Sequence, residues 1–177
     1  MRSFTLATAL QAFADLAVTP EMVAELAYFN TLNSWTLRIP QTLCFSSDSV
    51  GGRFHPPILM VSAQSDIALR TATYMRDYHQ ITGIVSIMFG RRDIAPTASS
   101  SDLVEAVTIY ADCLRRVFFD DVKKEGSASI LQSAGIFDVA SFATTYRVPN
   151  PSDKSDANFA TLQIILSCTQ MRQQGVL

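Results

Sequence analysis

Charge is scarce in this sequence. Asp, Glu, Lys and Arg make up 17% of 177 residues, while apolar residues make up 48%. Surfaces of soluble domains usually need more charge than that. Two readings follow: some surface is covered by another subunit or partner, or the surface is neutral and rich in Ser, Thr and Gln. Lysine is scarcer still, with only Lys123, Lys124 and Lys154, whereas arginine occurs eleven times. The net charge of −2 supplies no global basic field. The three cysteines, Cys44, Cys113 and Cys168, are far apart and odd in number. That excludes a self-contained disulfide framework and favours buried free thiols.

Chemical motifs are equally few. The two histidines, His55 and His79, stand in no H-x-x-x-H or E-x-x-H spacing, and no C-x-x-C occurs, so no metal site is expected. No G-x-S-x-G marks a nucleophile. Gly51-Gly52-Arg53 lacks the lysine and spacing of a phosphate loop and reads as a turn. Gln11 and Asp15 interrupt the apolar residues after Arg2, so no signal peptide is expected, and no apolar run reaches membrane-spanning length. The expectation is a non-enzyme without cofactors or membrane contact. An enzymatic reading based on His55, Tyr78 or His79 ranks last.

What the sequence does hold is helical punctuation. Leu6, Leu10, Phe13 and Ala17 recur on one face of residues 3–17. Thr19-Pro20-Glu21 signals a second start, and that helix should fade near Asn33-Ser34. Residues 102–125 form the best-marked helix. A Ser run and Asp102 open it, Glu105 follows at capping-box spacing, and Lys123, Lys124 and Gly126 close it. Its apolar stripe is Leu103, Val107, Tyr110, Leu114, Val117 and Phe118. Further helices are read over 66–80, across the apolar run 81–89, in two short pieces about Gly135, and over 156–173 after the Pro149-Asn150-Pro151 break. Trp35–Ile39 and Thr42–Phe45 read as extended. The predicted fold is therefore an all-α bundle of five to six helices, compatible with a short two-strand element near 36–45. Residues 1–148 would form the core domain, and 149–177 a hinge and C-terminal helix able to dock on a neighbouring subunit.

Arginine is the side chain for bidentate contacts to phosphate and for interface ion pairs. Arg91-Arg92 and Arg115-Arg116, with Arg76 and Arg70, could line a groove for a nucleic-acid backbone. The plain alternative is surface ion pairing with Asp66, Asp77, Asp93, Asp112, Asp120 and Asp121. Asp120 and Asp121, four and five residues after Arg116, are candidates for carboxylates at a subunit contact.

One ordered series resembles the coat proteins of rod-shaped plant RNA viruses of the tobacco mosaic virus type. It comprises Thr36-Leu37-Arg38-Ile39-Pro40, a helix from Asp66, Arg91-Arg92, Pro96-Thr97 leading into 102–125, and Phe137 or Phe142. An aromatic-rich ending is missing, since the single Trp is Trp35. The resemblance implies helical subunits that stack into a filament and hold single-stranded RNA through Arg76, Arg91, Arg92, Arg115 and Arg116. Such a protein would reside in a virion or the host cytoplasm. The alternative is an α-helical oligomeric adaptor without nucleic acid.

Overall fold

The computed structural model describes residues 4–44, 57–69, 76–147 and 159–173. Hydroxyl caps start both N-terminal helices. The Thr5 side chain accepts from the Thr8 N–H to open α1 (Leu6–Leu16). Thr19 accepts from Met22 N–H, and Pro20 takes the first position of α2 (Pro20–Asn33). The long helix α4 (Ser100–Lys123) opens with a capping box of Ser99 and Asp102, three residues earlier than the expected Asp102–Glu105 pair. All six residues of its expected stripe are buried.

Elsewhere the all-α expectation is overturned: the protein is mixed α/β, with a five-stranded sheet. After the short β1 (Thr42–Cys44) come β2 (Ile58–Leu69) and β3 (Arg76–Gly90), which take in most of the span expected as a helix over 66–80 and all of 81–89. A single turn, α3 (Arg91–Ile94), leads into α4. Beyond it lie a 3₁₀ turn (Gly126–Ala128) and α5 (Ile130–Ser133). The helix expected after Gly135 is instead β4 (Ile136–Arg147), and the expected C-terminal helix is β5 (Phe159–Gln173). The loop around Gly51 and His55, Arg70, and the Pro149–Ser152 break lie outside the described residues.

The strand order is β1-β2-β3-β5-β4, with β1 parallel to β2 and every other pair antiparallel. β3, α4 and β4 make a split β-α-β unit, because β5 fills the gap between two parallel strands. Residues 159–173 are thus paired on both sides, to β3 and to β4. Helices α1 and α4 pack on one face of the sheet, and α2 packs on α4. Side chains alternate across a strand, so Ile81, Val85, Ile87 and Phe89 of β3 and Leu162, Ile164, Leu166 and Cys168 of β5 join the helices in one core. Gly135 makes the corner from α5 into β4 at φ +79°, where a Cβ would fall 2.7 Å from the Phe4 ring.

Candidate interaction surface and charged clusters

The other face of the sheet has no described helix upon it. Register defines its membership. Met60, Ser62, Ser65, Ile67 and Leu69 stand on β2; Tyr78, Gln80, Thr82, Ile84, Ser86 and Met88 on β3. β5 adds Thr161, Gln163, Ile165, Ser167, Thr169 and Met171. None of these is charged. By the same register charge enters that face only at its margins, with Arg76 at the start of β3 opposite Gln173, and Asp138 and Arg147 on the edge strand β4 opposite Thr169 and Thr161. Ile84 and Ile165 face each other across the central strand pair, and the Tyr78 and Phe137 rings meet edge to face at 5.5 Å. This surface accounts for much of the missing charge. It was hidden in the sequence because its apolar members are interleaved with Ser, Thr and Gln.

The helical layer bears a second bare apolar area. Tyr28 and Leu32 of α2, four residues apart on one side of the helix, are 64% and 67% exposed. Only Met22 and Leu26 of that helix are buried. Val23 and Ala27 also face outward.

The arginines named from sequence are not gathered into one groove. Arg91 donates from Nε to the Ala98 carbonyl at 2.9 Å, which ties it to the turn before α4. Arg92 is exposed and borders a cavity of about 160 Å³ that it shares with Arg38. Arg115 and Arg116 lie fifteen or more residues along α4, roughly 22 Å beyond its first turn at ~1.5 Å per residue. There Arg115 pairs with Asp112, and Arg116 with Glu25 of α2 at 3.3 Å. Arg76 begins β3, and its side chain lies outside the described residues.

The two carboxylates part company. Asp120 is exposed and pairs with Lys123 at 2.9 Å. Asp121 is only 1% exposed and serves the protein's own interior. It accepts from Ser129 Oγ at 2.9 Å and from the Ile130 and Leu131 N–H groups at 3.0 Å, capping α5.

A polar network that no sequence signal marked sits where the helical layer ends above the sheet. Gln170, fully buried, donates to the Thr5 and Ala134 carbonyls and accepts from Arg172 Nε at 2.9 Å. Arg172 reaches Asp66 at 2.9 Å, and His79 donates from Nδ1 to the same carboxylate at 2.8 Å. Arg172 Nη2 is buried and has no hydrogen-bond partner among the described residues. Partial burial works against ionisation of Asp66, but the hydrogen bonds from His79 and Arg172 outweigh it and hold its pKa below the usual value. Oriented imidazoles of this kind occur in catalytic dyads. Among the described residues no hydroxyl or thiol hydrogen-bonds to this imidazole, however, and burial pushes the Cys113 and Cys168 thiols up to about 12. Among the described residues no group of three or more His, Cys, Asp or Glu side chains converges as metal ligands would. A cavity of about 320 Å³ between α1 and α5 has, among the described residues, Asp15 as its one ionisable lining residue. No helix among the described residues is long and apolar enough to cross a membrane. No family model matches the chain, and no curated protein matches it in sequence.

Proposed function

We propose that this protein is a non-enzymatic structural subunit that assembles with copies of itself, the uncharged sheet face of one copy meeting the bare α2 surface of the next. The uncharged face carries this reading. With the charges of β4 at its rim, it is presented by four long strands of 12 to 15 residues each. At ~3.3 Å per residue and ~4.8 Å between strands, they offer about 750 Å². That is close to the ~800 Å² per partner of a stable protein interface, and interface centres are depleted of charge in the same way. Pairing through the β4 edge is disfavoured, because that edge is bulged between Ile136 and Asp138 and again between Val139 and Ser141.

Two different apolar surfaces on one subunit suit a head-to-tail contact, which closes into a ring or runs on as a filament. The coat-protein reading is proposed in that narrower form, since the assembly requires no nucleic acid. Light scattering on the eluted protein, with negative-stain imaging, tests it. Masses at several multiples of the chain, with rings or filaments on the grid, are expected. A monomer at every protein concentration and ionic strength overturns the proposal.

A further inference from the structure

Arg38, in the segment that follows α2, and Arg92, in α3, line one cavity, and hydrogen bonds fix the backbone around each. The Asn30 side chain clamps Leu37, donating to its carbonyl at 2.8 Å and accepting from its N–H at 2.9 Å. Thr36 is latched to α3: its N–H and its hydroxyl both donate to the Ile94 carbonyl, at 2.6 Å and 2.9 Å. Tyr110 Oη donates to the carbonyl of Arg38 itself, at 3.3 Å. On the other side, Asp93 Oδ2 accepts from Gly90 N–H at 2.6 Å and pins the turn that bears Arg92. The cavity has a volume of about 160 Å³, and Thr36, Gln41, Pro57 and Asp93 line it with the two arginines. Arg115, Arg116 and Arg172 have acid partners. Arg38 and Arg92 have none among the described residues.

We propose that this cavity binds a phosphate group, with Arg38 and Arg92 as its two guanidinium donors. At 160 Å³ the space falls below the ~300 Å³ at which sites for whole small molecules begin, which suits a single anionic group. Two planar forks need more acceptor oxygens than one carboxylate offers, and a tetrahedral phosphate has enough. Asp93 opposes the anion, but it is one carboxylate against two cations and its Oδ2 is occupied by Gly90. The clamps on both backbones mean that little ordering remains to be done on binding. The phosphate could be free or part of a single-stranded nucleic-acid backbone. Both present the same oxygens, and the proposal stands apart from self-assembly.

The test titrates the full chain at low salt with inorganic phosphate, followed by calorimetry, and with a labelled oligouridine, followed by anisotropy. Arg38→Gln and Arg92→Gln should each weaken the bound ligand tenfold or more without changing the thermal midpoint. Asp93→Asn keeps the acceptor for Gly90 and removes the opposing charge, so it should tighten binding severalfold. The Arg115→Gln/Arg116→Gln double variant should stay within about twofold. Phosphate binding that competes with oligouridine identifies a site for the free group; oligouridine binding that millimolar phosphate leaves in place identifies the backbone. No binding of either ligand, or binding that both single arginine variants leave unchanged, overturns the proposal. A monomeric protein that still binds phosphate would defeat the assembly reading alone.

Discussion

Asp121 and Asp66 show how much one carboxylate can do inside this fold. Asp121 collects three donors at the start of α5, and hydrogen bonds to a charged acceptor are worth ~1.5–3 kcal/mol each, short of additivity. Asp121→Ala strips the cap from three donors at once and should lower stability by about 3 kcal/mol. At a urea slope of ~2 kcal/mol/M that moves the midpoint by about 1.5 M. Asp120→Ala removes one exposed pair and should change the same curve by less than ~0.5 kcal/mol. Equal losses for the two would contradict the interior role of Asp121. Asp66 couples stability to pH. Its pKa is lowered in the fold, so the unfolded chain binds its proton more readily. Its contribution is therefore complete above the ordinary carboxylate value of ~3.9 and fades as pH falls through the folded pKa. Asp66→Asn should be less stable than the parent at pH 7, by about 1–3 kcal/mol, with Arg172 left without its counter-charge. The two melting curves should converge as pH falls through the folded pKa of Asp66. A constant gap from pH 7 to pH 2 would show that Asp66 acts through packing alone.

At the scale of elements, the helices were legible, as was the extended stretch that holds β1 (Thr42–Cys44), and the four long strands were not. Local chemistry announces α1, α2 and α4: a hydroxyl or carboxylate cap, a proline at the first position, a stripe of apolar residues every three or four. Those signals operate within one turn. A strand declares itself through alternation, and alternation fails when both sheet faces carry apolar residues. In β3 the run Ile81–Phe89 places Ile81, Val85, Ile87 and Phe89 in the core but Ile84 and Met88 on the open face. The result is an almost continuous apolar stretch that a buried helix would also give. β5 repeats the pattern with Ile164 and Leu166 inward and Ile165 outward. The site residues were obscured for another reason. Arg38 and Arg92, like Asp66 and Arg172, are neighbours only through pairing and packing. Gly83 is where element and core meet. A Cβ there would lie 2.7 Å from the Phe13 ring of α1, so the bare backbone of β3 is what lets that helix sit down on the sheet. Gly83→Ala should cost about 2 kcal/mol by overpacking, which is roughly 4–8 °C in Tm for a chain of this size. Adding Phe13→Leu should return part of that loss. If the double variant loses the sum of the two single losses, the contact between residues 13 and 83 is not the cause.

For the whole molecule, the question is how an uncharged sheet face and a bare helix surface are used. Ile165 and Leu32 test them separately, because each is solvent-facing in the single chain and a charge there should alter folding by no more than ~1 kcal/mol. Inside an interface the same charge would be buried without a partner, at a penalty of several kcal/mol, enough to weaken association by a hundredfold or more. Ile165→Glu and Leu32→Glu should therefore each yield a folded monomer by light scattering. Mixing them then distinguishes the kinds of contact. In a head-to-tail arrangement the Ile165→Glu chain keeps an intact α2 surface and the Leu32→Glu chain an intact sheet face. The pair should form a one-to-one dimer that grows no further. If two sheet faces met each other instead, Leu32→Glu would self-associate as before and the mixture would gain nothing. That result would replace rings and filaments with a closed two-fold dimer.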